Sequence, residues 1–81
     1  MSRYTVTNLR AFVAEANAAD PLPEANGYGN LDRYKVQGAY GGYQVQELFP
    51  NTTAAGDVTH GYTSAREAAE QFSNYLVRHG K

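Results

Sequence analysis

The chain has no cysteine and no tryptophan, and among its 81 residues only three are proline and one is methionine. Without cysteine, neither a disulfide nor a thiolate metal site can form. No apolar run approaches the roughly 18 residues that a membrane-spanning helix needs. Arg10 and Glu15 interrupt Met1–Ala19, where a signal peptide would carry its apolar stretch. Neither sign of charge dominates: seven Lys+Arg against eight Asp+Glu leave a net charge of −1, spread along the chain without blocks. Such a balance provides no surplus of cations to neutralise phosphates, and no acidic surface that would mimic DNA. The sequon Asn51-Thr52-Thr53 reads as a plain loop once no secretory signal accompanies it. The expectation is a soluble cytoplasmic protein that carries no cofactor and no membrane association.

Constellations for catalysis are also missing. Asp57, His60 and Ser64 carry the side-chain types of a nucleophilic triad, but nothing resembles the G-x-S-x-G elbow, and Ser64 has a sufficient role as a helix cap. His60 and His79 are the only imidazoles, nineteen residues apart, and a closed zinc site would need carboxylates to complete it. Gly27-Tyr28-Gly29 lacks the third glycine of a dinucleotide fingerprint and follows a loop instead of a strand. Gly38 and Gly41-Gly42 lie inside a hairpin and open no helix. We therefore expect no enzyme, and no catalytic, cofactor or metal residues.

What is present makes a single domain spanning 1–81, of a size that buries only about 60% of its unfolded surface. Thr7 is the expected cap of a helix over 7–19, which the spacing of Leu9, Phe12, Val13 and Ala16 predicts and Asp20-Pro21 stops. Residues 20–32, "DPLPEANGYGNLD", read as a loop. A hairpin follows over 33–49, and a short strand is expected over 57–62, with Val58, His60 and Tyr62 on one side. Ser64-x-x-Glu67 is a capping box that opens a helix over 64–79. Ala65, Ala68, Ala69, Phe72 and Leu76 form its apolar stripe. His79 and Lys81 suit the negative end of its dipole, and Gly80 is a natural C-terminal cap.

In the hairpin, a two-residue turn at Gly41-Gly42 sets Tyr40 opposite Tyr43, Gly38 opposite Val45, Val36 opposite Glu47 and Tyr34 opposite Phe49. All of these share one face, which is apolar except for Glu47. Lys35, Gln37, Ala39, Gln44, Gln46 and Leu48 share the other. The apolar face needs a cover, and two one-sided helices supply it. The expected architecture is α+β, in the order α-β-β-β-α: a three-stranded antiparallel sheet with both helices packed on one face.

Seven tyrosines are the richest feature of the composition. Tyrosine joins a large apolar body to a polar tip, which makes it a frequent interface anchor. Tyrosines at 34, 40, 43, 62 and 75 also suit the rim of a small core. The expected contact surface for a protein partner consists of Tyr28, Tyr40 and Tyr43 with Lys35, Gln37, Gln44 and Gln46. Two alternatives stand beside it. One is a nucleic-acid binder using Arg3, Arg10, Arg33, Lys35 and Arg66 between the tyrosines. The other is a homodimer paired through an open sheet edge.

The element order, with "TSAREAAEQF" opening the last helix, resembles the double-stranded RNA-binding domain. Ser64, Ala68 and Ala69 fit that family's pattern. Ala65 and Arg66 stand where its first lysines belong, Glu67 adds the opposite sign, and Tyr40-Gly41-Gly42-Tyr43 replaces its proline–histidine loop. The resemblance implies the architecture and argues against the RNA function. In size and composition the chain also resembles small accessory proteins of phages and mobile elements, anti-CRISPR proteins among them. That likeness implies a non-catalytic inhibitor that blocks a larger host nucleoprotein complex by steric occlusion.

Overall fold

The structure, a computed structural model, describes residues 3–79. Its elements are α1 (Val6–Ala19), β1 (Tyr34–Ala39), β2 (Gly42–Leu48), β3 (Ala55–Asp57) and α2 (Ala65–Arg78). The strands form one antiparallel sheet in the order β1-β2-β3. Helix α1 rests on β1 and α2 on β2, and the two helices touch each other. The fold is thus α+β, with two helices over one sheet face. Leu9 and Val13 of α1, Tyr34 and Val45 of the sheet, and Ala65, Ala68, Ala69 and Phe72 of α2 make the core. Phe72 is its centre, meeting Phe12 at 5.0 Å and Tyr34 at 4.9 Å between ring centroids, both edge-on.

The helix ends show where local chemistry sets the boundaries. Thr5, not Thr7, caps α1. Its Oγ1 accepts the Asn8 N–H at 3.4 Å, and Asn8 Oδ1 accepts the Thr5 N–H at 2.9 Å. Asn8 fills the place usually taken by Glu or Gln in a capping box, so the helix begins at Val6. At the other end, Arg33 Nε donates to the Asp20 carbonyl at 2.9 Å and Nη2 to the Pro21 carbonyl at 3.1 Å. A cation therefore sits at the negative pole of α1. For α2, Ser64 Oγ accepts the Glu67 N–H at 3.2 Å, and the His79 N–H returns to the Tyr75 carbonyl. The expected cap at Gly80 and the charge of Lys81 lie outside the described residues.

The hairpin turn is Tyr40-Gly41, one residue earlier than expected. Tyr40 (φ +53°) and Gly41 (φ +73°) both take left-handed backbone, as a tight two-residue hairpin turn with a primed geometry requires. The pairs become Ala39↔Gly42, Gly38↔Tyr43, Val36↔Val45 and Tyr34↔Glu47. The reason lies far along the chain. A Cβ on Gly42 would come within 3.0 Å of the backbone N and O of Thr63. Thr63 pairs there with Tyr43, through hydrogen bonds of 2.7 and 3.0 Å. Gly42 is needed inside the strand and so is withdrawn from the turn. Paired residue numbers now sum to 81 (39 + 42) instead of 83 (40 + 43). An even shift leaves the paired side chains on their expected faces, while Tyr40 moves from the ladder into the turn.

The third strand is also displaced. It spans Ala55–Asp57, pairing Leu48↔Ala55 through Gln46↔Asp57, and does not continue to Tyr62. The chain leaves the sheet at Val58 and returns at Thr63. Pair sums rise from 103 (46 + 57) to 106 (43 + 63), so three extra residues bulge out. Buried Thr59 bridges the gap: its Oγ1 accepts the Val45 N–H at 3.2 Å, while Val58 N–H donates to the Val45 carbonyl at 3.0 Å. A side chain replaces a missing strand residue, and β2 stays bonded along both edges.

Candidate functional site

Loop 20–32 is organised around buried Asn26. Its Oδ1 accepts the Tyr28 N–H at 2.9 Å, and its Nδ2 donates to the Asp32 carbonyl at 3.1 Å. Gly27 N–H and Asn51 N–H tie this loop to the one after β2, reaching the Thr52 and Ala25 carbonyls. The fold thereby places Tyr28 beside the sheet face away from the helices. Lys35 Nζ lies 5.0 Å from its ring centroid, a cation–π contact, and Tyr28 itself remains about half exposed.

The other expected residues do not form one patch with this couple. Gln44 is only 5% exposed, because the face away from the helices is not bare; Leu48 on the same side is buried as well. Gln44 therefore leaves the accessible surface. Lys35, Gln37 and Gln46 are half-buried, and Gln46 Nε2 donates to Asp57 Oδ1 at 3.4 Å. Tyr43 packs against the core from the helix side. Tyr40 is different: at 93% it is the most exposed large apolar residue described. Its one ring contact is edge-on with Tyr62, at 5.5 Å. The hairpin tip is thus a two-tyrosine projection made of the turn and the end of the 58–62 bulge. Tyr62 was missed by sequence reasoning, which placed it inside a strand with Val58 and His60. The signal available was Gly61, which takes φ +67° and lets the bulge turn back beside the hairpin.

At the opposite end of the sheet the polar residues serve the fold. Glu47, the one charge on the helix-facing side, accepts a hydrogen bond from the Tyr75 hydroxyl. That bond, with burial added, pushes the Tyr75 phenol up to about 12. Burial, and then the Glu47 charge, also raises Tyr34. Asp57, His60 and Ser64 each have separate duties: Asp57 accepts from Gln46, the His60 N–H donates to Gln71 Oε1 at 2.7 Å, and Ser64 caps α2. Of the cations a nucleic-acid reading would use, Arg33 is bound to the end of α1 and Lys35 to the Tyr28 ring. Among the described residues no group of three or more His, Asp or Glu side chains is placed to hold a metal ion. No described helix is long and apolar enough to cross a membrane.

Compared with known proteins, the chain matches no family model, no curated protein and no solved structure.

Proposed function

We propose that the chain is a small protein-binding module whose hairpin tip, Tyr40 backed by Tyr62, is the anchor that enters a partner. One observation carries this reading. Tyr40 holds a left-handed backbone while its ring stands almost entirely in water. A bulky L-residue in that region costs on the order of 1 kcal/mol or more, and Asn or Gly would fill the position without that penalty. The core gains nothing from the ring. A strained, exposed aromatic at a loop tip is the form an interface anchor takes, because its large area is desolvated only on binding. Tyr28 over Lys35 would add a second, peripheral contact. The mechanism is occlusion: a rigid domain of this size covers a surface on a larger complex, in the manner of a mobile-element inhibitor acting on a host assembly.

The test is affinity capture with the wild type and Tyr40→Asn side by side, followed by identification of the retained partner and measurement of its affinity. Tyr40→Asn should weaken that complex by about 2 kcal/mol or more, roughly thirty-fold, while the variant stays folded. Equal affinity for both proteins would remove the hairpin tip from the interface.

A further inference from the structure

Antiparallel pairing alternates residues whose N–H and C=O point at the neighbouring strand with residues whose groups point away. The Arg33 carbonyl accepts the Leu48 N–H at 2.6 Å, and the two-residue turn closes on Ala39↔Gly42. Lys35, Gln37 and Ala39 therefore face β2, and Tyr34, Val36 and Gly38 face outward. The outward groups of Tyr34 are both occupied by one side chain of α1. Asn17 Oδ1 accepts the Tyr34 N–H at 2.8 Å, and Asn17 Nδ2 donates to the Tyr34 carbonyl at 3.0 Å. Among the described residues no hydrogen bond reaches the outward groups of Val36 or Gly38. Beside them runs a groove of about 270 Å³ between helix and strand. Arg10, Val13 and Asn17 line one side of it, and Asp32, Tyr34 and Val36 the other.

We propose that this groove is a second binding site, separate from the hairpin tip, which takes an extended polypeptide segment as a fourth strand on β1 with an acidic side chain directed at Arg10. Two N–H donors and two C=O acceptors at strand spacing match the groups of another extended backbone. A second copy of this chain suits the edge less well. The reach of Asn17 to the outward side of Tyr34 places α1 over the edge itself. Antiparallel pairing of two β1 edges about a two-fold axis sets both helix layers on the same face, where the two α1 helices would claim the same space. Charge sets the sequence preference. Arg10 lines the groove two helical turns before Asn17 and makes no ion pair among the described residues. A carboxylate on the incoming segment completes it.

The probe is a capped pentapeptide, threonine–valine–glutamate–valine–threonine, titrated into the isotope-labelled protein and read by amide hydrogen exchange. In the free protein the Val36 and Gly38 amides should exchange about ten-fold or more faster than those of Lys35 and Gln37. At saturating peptide they should slow by about ten-fold or more, while a fully N-methylated peptide leaves them unchanged. Replacing the glutamate by lysine should weaken binding, and Arg10→Glu should reverse that preference. Val36 and Gly38 amides already protected without peptide, or unmoved by it, would overturn the proposal. So would equal effects of the methylated and unmethylated peptides. Tyr40→Asn should bind the peptide like wild type; loss of peptide binding in that variant would place the event at the tip and overturn the assignment to β1.

Discussion

Tyr34 and Tyr40 bracket the same strand, six residues apart, and end in opposite surroundings: one is 4% exposed, the other 93%. At the Tyr34 end, Phe72 meets the ring, Asn17 holds both backbone groups, and Tyr75 bonds Glu47 close by. At the Tyr40 end a left-handed turn lifts the ring off the ladder, with Tyr62 as its single ring neighbour. Residue type does not separate the two. What separates them is which segments return to each end of the hairpin: α1 and α2 close over one, and the bulge 58–62 with Thr63 reaches the other.

The largest expected effect lies at the closed end. Phe72→Ala removes the ring that Phe12 and Tyr34 both meet, and should cost about 3–5 kcal/mol. A domain this small has the lower part of the usual ~5–15 kcal/mol in hand, so the variant should be largely unfolded by circular dichroism at room temperature. Tyr75→Phe comes next. It strips the donor from half-buried Glu47 and should cost about 1–3 kcal/mol in urea denaturation. Tyr40→Asn has the opposite sign. Asn-Gly suits a turn with both φ angles positive, so the melting temperature should rise by roughly 4–8 °C for a gain of about 1 kcal/mol. A fall in melting temperature would mean that the tip serves the fold, and the contrast with Tyr34 would disappear. The last effect is alkaline. Tyr75 is raised from its ordinary 10.0 to about 12 in the folded protein. As pH rises through this interval the unfolded chain loses the proton first, so stability present below pH 10 should decline between 10 and 12. Melting curves across that range should flatten in Tyr75→Phe relative to wild type.

Much of this was legible from the sequence, and the exceptions have a common cause. The order of elements and the core faces of both helices follow from spacing: Leu9, Val13, Ala68 and Phe72 are buried as their periodicity predicts. The faces of the hairpin survive because the register moved by an even step. The turn itself was misplaced because the demand on Gly42 comes from Thr63, twenty-one residues later, and no local rule sees it. The third strand was misplaced because the Thr59 hydroxyl does a backbone's work, so alternation stops while hydrogen bonding continues. Of the candidate site, Tyr28 lies exposed in the loop where it was expected, while Tyr40, expected opposite Tyr43 on the apolar face, stands in the turn and is exposed there. Gln44 was not recognised as buried, because polarity alone says nothing of what lies over a sheet face. Asn17, an ordinary residue within an alanine-rich helix, carried no mark of its role at the strand edge.

That asparagine has a consequence for how the molecule behaves in a crowded solution. A sheet with three free rungs along a flank can recruit like strands one after another, the first step toward fibres. By covering the first rung with an amide from a neighbouring helix, the chain shortens the open stretch to Val36 and Gly38, and a segment docked there as proposed would have only two rungs to hold. One side chain thus decides how much of that flank stays open.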